Sequence, residues 1–77
     1  MLDTLNNINI DDNVRVVNID NRCGIKRRLM DIGLVPGTYV RLIYKSIFDD
    51  PKAYLIRNTI IAIRDMDSKY IEVEYND

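Results

Sequence analysis

Apolar and polar residues follow one another along this chain in short blocks, and each block predicts one small element. Asn13 to Ile19 reads Asn-Val-Arg-Val-Val-Asn-Ile, a β-branched run without helix punctuation, which predicts a strand. Val14 and Val16 share one face of it while Val17 and Ile19 share the other, so a bulge or burial on both sides is expected. Asp20-Asn21 then offers a turn and a helix N-cap. Ile25, Leu29 and Ile32 follow at i, i+4 and i+7, the spacing of a short helix with one buried stripe, although Gly24 weakens its first turn. Gly33 stands where a helix ends on a residue of positive φ, and Pro36-Gly37 suits the centre of a type II turn.

A second strand is expected over Thr38 to Ser46, with Val40, Leu42 and Tyr44 inward and Tyr39, Arg41, Ile43 and Lys45 outward. Phe48-Asp49-Asp50-Pro51 reads as a loop, in which Pro51 holds Asp50 extended. Ala53 to Arg57 and Thr59 to Arg64 read as a hairpin closed at Arg57-Asn58, where Asn tolerates positive φ. Asp65 to Lys69 predicts a turn or one helical turn, and Tyr70 to Tyr75 a last strand with Ile71, Val73 and Tyr75 inward. The first seven residues are polar enough to fray, which leaves one domain over residues 1–77 with an ordered core from about 8 to 75. The expected fold is mainly β: a small five-stranded barrel with one short inserted helix.

Composition narrows what such a fold can do. The chain has 77 residues, one cysteine and no histidine, so Cys-His zinc sites and imidazole-assisted catalysis lack their ligands and bases. A formal charge of −1 leaves no global basic field for a nucleic-acid backbone. The longest uninterrupted apolar run is Ile60 to Ile63, far short of the roughly 20 residues a bilayer span needs. The N-terminus carries no secretory pattern, and with a single thiol this favours the cytoplasm. No catalytic, metal or cofactor residues are assigned.

The most specific stretch is Arg28-Leu29-Met30-Asp31-Ile32-Gly33-Leu34-Val35-Pro36-Gly37-Thr38. It resembles the R-L-x-x-L-G-x-x-P-G-T signature of the FeoA family, small proteins associated with bacterial ferrous iron transport. Asp50-Pro51, the hairpin from Tyr54 to Ile61, Ala62-Ile63-Arg64 and Ile71-Glu72-Val73 follow in the family's order. Arg57-Asn58 stands where many members have Gly, and Ser46 to Asp49 lacks their Pro and Gly, which questions loop geometry more than membership. The resemblance implies an SH3-like barrel whose partner is FeoB, a membrane transporter with a cytoplasmic GTP-binding domain. It implies support or regulation of that transporter, with no cofactor and no insertion into the membrane.

Most of the motif has a backbone explanation: Gly33, Pro36 and Gly37 stop a helix and turn the chain. Arg22, Lys26, Arg27 and Arg28 form a basic edge, either a solvated helix face or a docking surface, and Arg28 can instead pair with a carboxylate or cap a loop carbonyl. Tyr39, Phe48 and Tyr54 are expected to be an exposed apolar patch, whereas Tyr44 and Tyr75 face the core. The candidates for partner binding are thus Arg27, Arg28, Tyr39, Phe48 and Tyr54. Asp49, Asp50, Asp65 and Asp67 read as loop acids, since a hard cation needs about six arranged oxygens. Cys23 near the helix start reads as a small packing residue. Arg27 or Arg64 is a conceivable arginine finger for a GTPase. Two other readings stand beside the leading one: a stand-alone module related to the C-terminal domain of DtxR-type metal-dependent repressors, and a small nucleic-acid-binding barrel. Self-association is also open, because exposed strand edges pair.

Overall fold

A computed structural model describes residues 1–75; residues 76 and 77 of the expected domain lie outside the described residues. Six strands form it: β1 (Leu2–Thr4), β2 (Asn13–Ile19), β3 (Tyr39–Lys45), β4 (Lys52–Ile56), β5 (Thr59–Ile63) and β6 (Ile71–Tyr75). A 3-10 turn (Leu5–Asn7) follows β1, α1 (Lys26–Asp31) lies between β2 and β3, and α2 (Asp65–Ser68) joins β5 to β6. All pairings are antiparallel, in the order β1-β6-β2-β3-β4-β5. The expected mainly-β class holds, but the sheet has six strands and leaves β1 and β5 as edges that do not pair with each other.

The sixth strand comes from the segment expected to fray. Leu2, Asp3 and Thr4 pair with Glu74, Val73 and Glu72. Leu5 and Ile8 then drop into the core at 0% and 1% exposure. Two buried aliphatic side chains outweigh the polar composition around them. The segment is held further by Tyr54 Oη, which donates to the Leu5 carbonyl at 3.4 Å, and by Lys52 Nζ, which donates to the Asn6 carbonyl at 3.2 Å.

Bulges settle which residues face inward. In β2 the register with β6 shifts between Val16 and Asn18, so Val14, Val16 and Ile19 are all buried. In β3 a shift between Leu42 and Tyr44 breaks the alternation. Val40 and Leu42 are buried as expected, but Tyr44 turns out to solvent at 57% exposure. The helix stripe is likewise shorter than predicted: Leu29 is buried, Ile25 packs on the core, and Ile32 is exposed. Ile25, not Asp20 or Asn21, stands at the N-cap position of α1, which has no side-chain cap, and Asp20 instead accepts from the Arg22 backbone N–H at 2.8 Å.

Candidate docking surface

The motif segment builds a rigid corner. Gly33 has φ +100°, its N–H donates to the Met30 carbonyl at 3.0 Å, and the Leu34 N–H donates to the Leu29 carbonyl at 2.9 Å. This is the Schellman pattern, with both leucines buried in the core, and it satisfies carbonyls that the end of α1 leaves open. The Thr38 N–H closes the Val35 to Thr38 turn onto the Val35 carbonyl at 2.9 Å, with Gly37 at φ +96°. Buried Thr38 Oγ1 donates to the Gly33 carbonyl at 2.9 Å and accepts from the Val35 N–H at 3.1 Å. Arg57 reaches the same Gly33 carbonyl through Nε at 3.0 Å. A Cβ at Gly33 would stand 2.6 Å from Arg57 Cδ, so the residue is confined by its φ and by this close approach together.

Arg57 is a structural residue that sequence reasoning missed. It and Asn58 have φ +47° and +65°, the left-handed pair that a two-residue type I′ hairpin requires. The turn thereby forms without the glycine common at this position. The guanidinium ties the β4–β5 hairpin to the end of α1, across 24 positions of sequence. Arg28 is exposed without a side-chain hydrogen bond among the described residues, as a solvated helix face requires, so its alternative of pairing with a carboxylate or capping a carbonyl is not realised.

The loop after β3 contrasts with this corner. Its base is tied: the Asp49 N–H donates to the Ser46 carbonyl at 2.9 Å, and Asp50 Oδ1 accepts from the Asp65 N–H at 2.9 Å, capping α2. Its tip, Ile47 and Phe48, stands 93% and 88% exposed. Phe48 is therefore placed as predicted. Tyr54 is not: it is 0% exposed, under the 3-10 turn, and burial raises its hydroxyl pKa to about 12. Three residues of β4 run buried in succession, Lys52, Ala53 and Tyr54, so position near a loop did not mean exposure.

The remaining candidates divide between two places. Arg27 lies with Lys26, Met30 and Asp31 on the outer face of α1, where Met30 and Ile32 add exposed apolar area. Tyr39 lies instead in a shallow groove on the sheet with Arg41, Leu55, Arg57 and Asn58. Of the basic edge, Arg22 is paired with Asp20 at 3.0 Å and stands 5.1 Å from the Tyr70 ring, while Lys26 donates to Asn21 Oδ1 at 2.6 Å. The Arg22 guanidinium holds the Asp20 carboxyl down at about 2. Arg27 and Arg28 are the cations of this edge with no hydrogen-bond partner among the described residues.

Chemistry at the sulfur and the acids is structural. Cys23 is buried, and desolvation pushes its thiol pKa up, away from the reactive thiolate. Asp65 pairs with buried Lys52 at 2.8 Å. Among the described residues no three or more His, Cys, Asp or Glu side chains gather into a metal-holding group. No helix among them is long and apolar enough to cross a membrane.

Comparison with known proteins agrees with this geometry. A FeoA-like protein from Clostridium acetobutylicum is 31% identical over 96% of this chain and 86% of its own, with a TM-score of 0.86. The FeoA of Stenotrophomonas maltophilia, solved in complex with zinc, is 25% identical over 92% of this chain and 88% of its own, at a TM-score of 0.80. That protein is described as a prokaryotic SH3 domain protein and a candidate ferrous iron transport activating factor. IdeR of T. acidophilum shares the fold at 21% identity and a TM-score of 0.82, over 97% of this chain and 34% of its own. No curated protein matches the sequence. The fold is SH3-like, and since the model of the FeoA domain matches residues 4–75, the chain belongs to the FeoA family.

Proposed function

We propose that this protein is a non-enzymatic accessory of bacterial ferrous iron uptake that works in the cytoplasm by docking on the GTP-binding part of a FeoB-type membrane transporter. The observation that carries the reading is the loop tip: two adjacent large apolar side chains, Ile47 and Phe48, stand almost fully in water on a loop tied at its base. An aromatic anchor presented this way suits a partner pocket, because interfaces draw most of their energy from a few such buried side chains. Unpartnered Arg27 and Arg28 supply the polar steering that rim charges give. Such a partner biases the transporter only by binding one of its nucleotide states more tightly than the other.

Titration of the purified cytoplasmic domain of the transporter, loaded with GDP or with a non-hydrolysable GTP analogue, tests this. Binding is expected to differ between the two states, and Phe48→Ala is expected to weaken it about tenfold or more. Equal binding of wild type and Phe48→Ala overturns the role of the loop, and no binding in either state overturns the partnership. GTP hydrolysis measured alongside, with Arg27→Ala and Arg64→Ala, separates docking from an arginine-finger contribution. The likeness to IdeR keeps one second reading, a regulatory module acting on a separate metal-dependent repressor, which the same titration against such a repressor tests.

A further inference from the structure

The four-residue apolar run that contributes nothing to a membrane span forms β5, and β5 is an edge of the sheet. Thr59, Ile60 and Ala62 are exposed, Ile60 at 60%, and no charged residue falls between Thr59 and Ile63. Edge strands of natural sheets are ordinarily protected by charge, proline or a bulge, and this one carries none of them. In the two-residue hairpin, Ile56 and Thr59 form the hydrogen-bonded pair next to the turn, and Tyr54 with Ile61 and Lys52 with Ile63 continue the alternation. The N–H and C=O groups of Ile60 and Ala62 therefore point away from β4, and neither residue enters a turn, loop or cap hydrogen bond.

We propose that this edge pairs with β5 of a second copy of the chain, antiparallel, about a two-fold axis at Ile61. That register sets Ile60 opposite Ala62 of the other copy, and the outward groups of both residues are matched at once, as four N–H to C=O hydrogen bonds. Ile60 covers Ala62 of the second copy on the outer face, large against small. The paired segment runs from Thr59 of one copy, opposite Ile63 of the other, and holds no charged residue, so no like charges oppose within it.

Neighbouring registers lack these features. A two-fold axis at Ile60 sets Ala62 against Asn58, whose φ of +65° takes it out of the strand. An axis at Ala62 sets Ile60 against Arg64, whose carbonyl already accepts the Asp67 and Ser68 N–H groups at 2.9 Å each. A second copy is favoured over a foreign strand because the edge is self-complementary in side-chain size and hydrogen-bond phase. This pairing is independent of the loop tip used for the transporter.

Sedimentation equilibrium over a concentration series up to about 1 mM tests the proposal, with disulfide capture as the register probe. The wild-type chain is expected to approach twice its 9.0 kDa monomer mass as concentration rises. Ala62→Lys, an exposed change that touches no core residue, is expected to stay at the monomer mass with an unchanged circular dichroism spectrum. In a Cys23→Ala background, Ile61→Cys is expected to give a disulfide-linked dimer, since only an axis at position 61 brings that residue opposite itself. Ile60→Cys and Ala62→Cys are expected to give little. A wild type that stays monomeric throughout, a dimer that survives Ala62→Lys, or crosslinking strongest at 60 or 62 each overturns the proposal.

Discussion

The corner from Arg28 to Thr38 and the loop from Ser46 to Asp49 both turn the chain between regular elements, yet they spend their residues in opposite ways. The corner directs its leucines inward, satisfies the Gly33 carbonyl twice, and ties itself to a distant hairpin through Arg57. The loop binds only its own base and raises Ile47 and Phe48 into solvent. The glycines and leucines of the motif thus hold the frame, while the loop residues Ile47 and Phe48 stand in solvent. The same contrast divides two aromatics six positions apart. Phe48 is almost wholly in water and Tyr54 is wholly out of it.

Truncating the corner's anchor breaks the comparison most strongly. Leu29→Ala removes a side chain that is 1% exposed and is expected to cost about 3 kcal/mol, read as a lower urea midpoint at unchanged slope. Tyr54 gives the next effect through pH. Its hydroxyl pKa is raised from 10.0 to about 12 by burial, so the folded state holds its proton more tightly than the unfolded state does. Its contribution is complete below pH 10 and is lost as pH rises through 12, a decline of about 2 to 3 kcal/mol. Tyr54→Phe is expected to flatten that decline in urea midpoints measured from pH 9 to 12, whereas Phe48→Ala, which neither removes nor adds a titrating group, leaves it unchanged.

Gly33→Ala is expected to cost about 2 kcal/mol, from a non-glycine residue held at positive φ. Because the new methyl displaces Arg57, adding Arg57→Ala costs less in that background than in the wild type, and a double-mutant cycle on urea midpoints reads the coupling. The smallest effect belongs to the loop. Phe48→Ala is expected to change stability by no more than about 0.5 kcal/mol while weakening partner binding. A large loss of stability there erases the distinction between frame and surface.

Much of the frame was legible beforehand for local reasons. Gly33 and Pro36-Gly37 carry backbone preferences that act within a few residues, β2 and the β4–β5 hairpin show as β-branched and apolar runs beside turn residues, and β6 shows its alternation directly. The docking candidates were less legible. Exposure of Phe48 was read from its place in a loop, and the same reasoning failed for Tyr54, which the 3-10 turn covers from about 50 positions away. Ile47 carries little signal of its own, because one apolar residue in a loop is common, although two in succession is a stronger signal. Arg57 shows in the sequence only as a turn residue, since its reach to Gly33 exists only after the hairpin and the helix end meet.

By itself the sequence determined where the chain turns, which segments extend, and which family the motif belongs to, because glycine, proline and alternating apolar residues act on the backbone near them. The tertiary structure alone decided that the first residues form a strand, that a bulge turns Tyr44 outward, and that β5 is left without a second neighbour. Each of those outcomes depends on register and on which strand lies beside which. Such facts arise from long-range pairing and leave no mark on the residues that experience them.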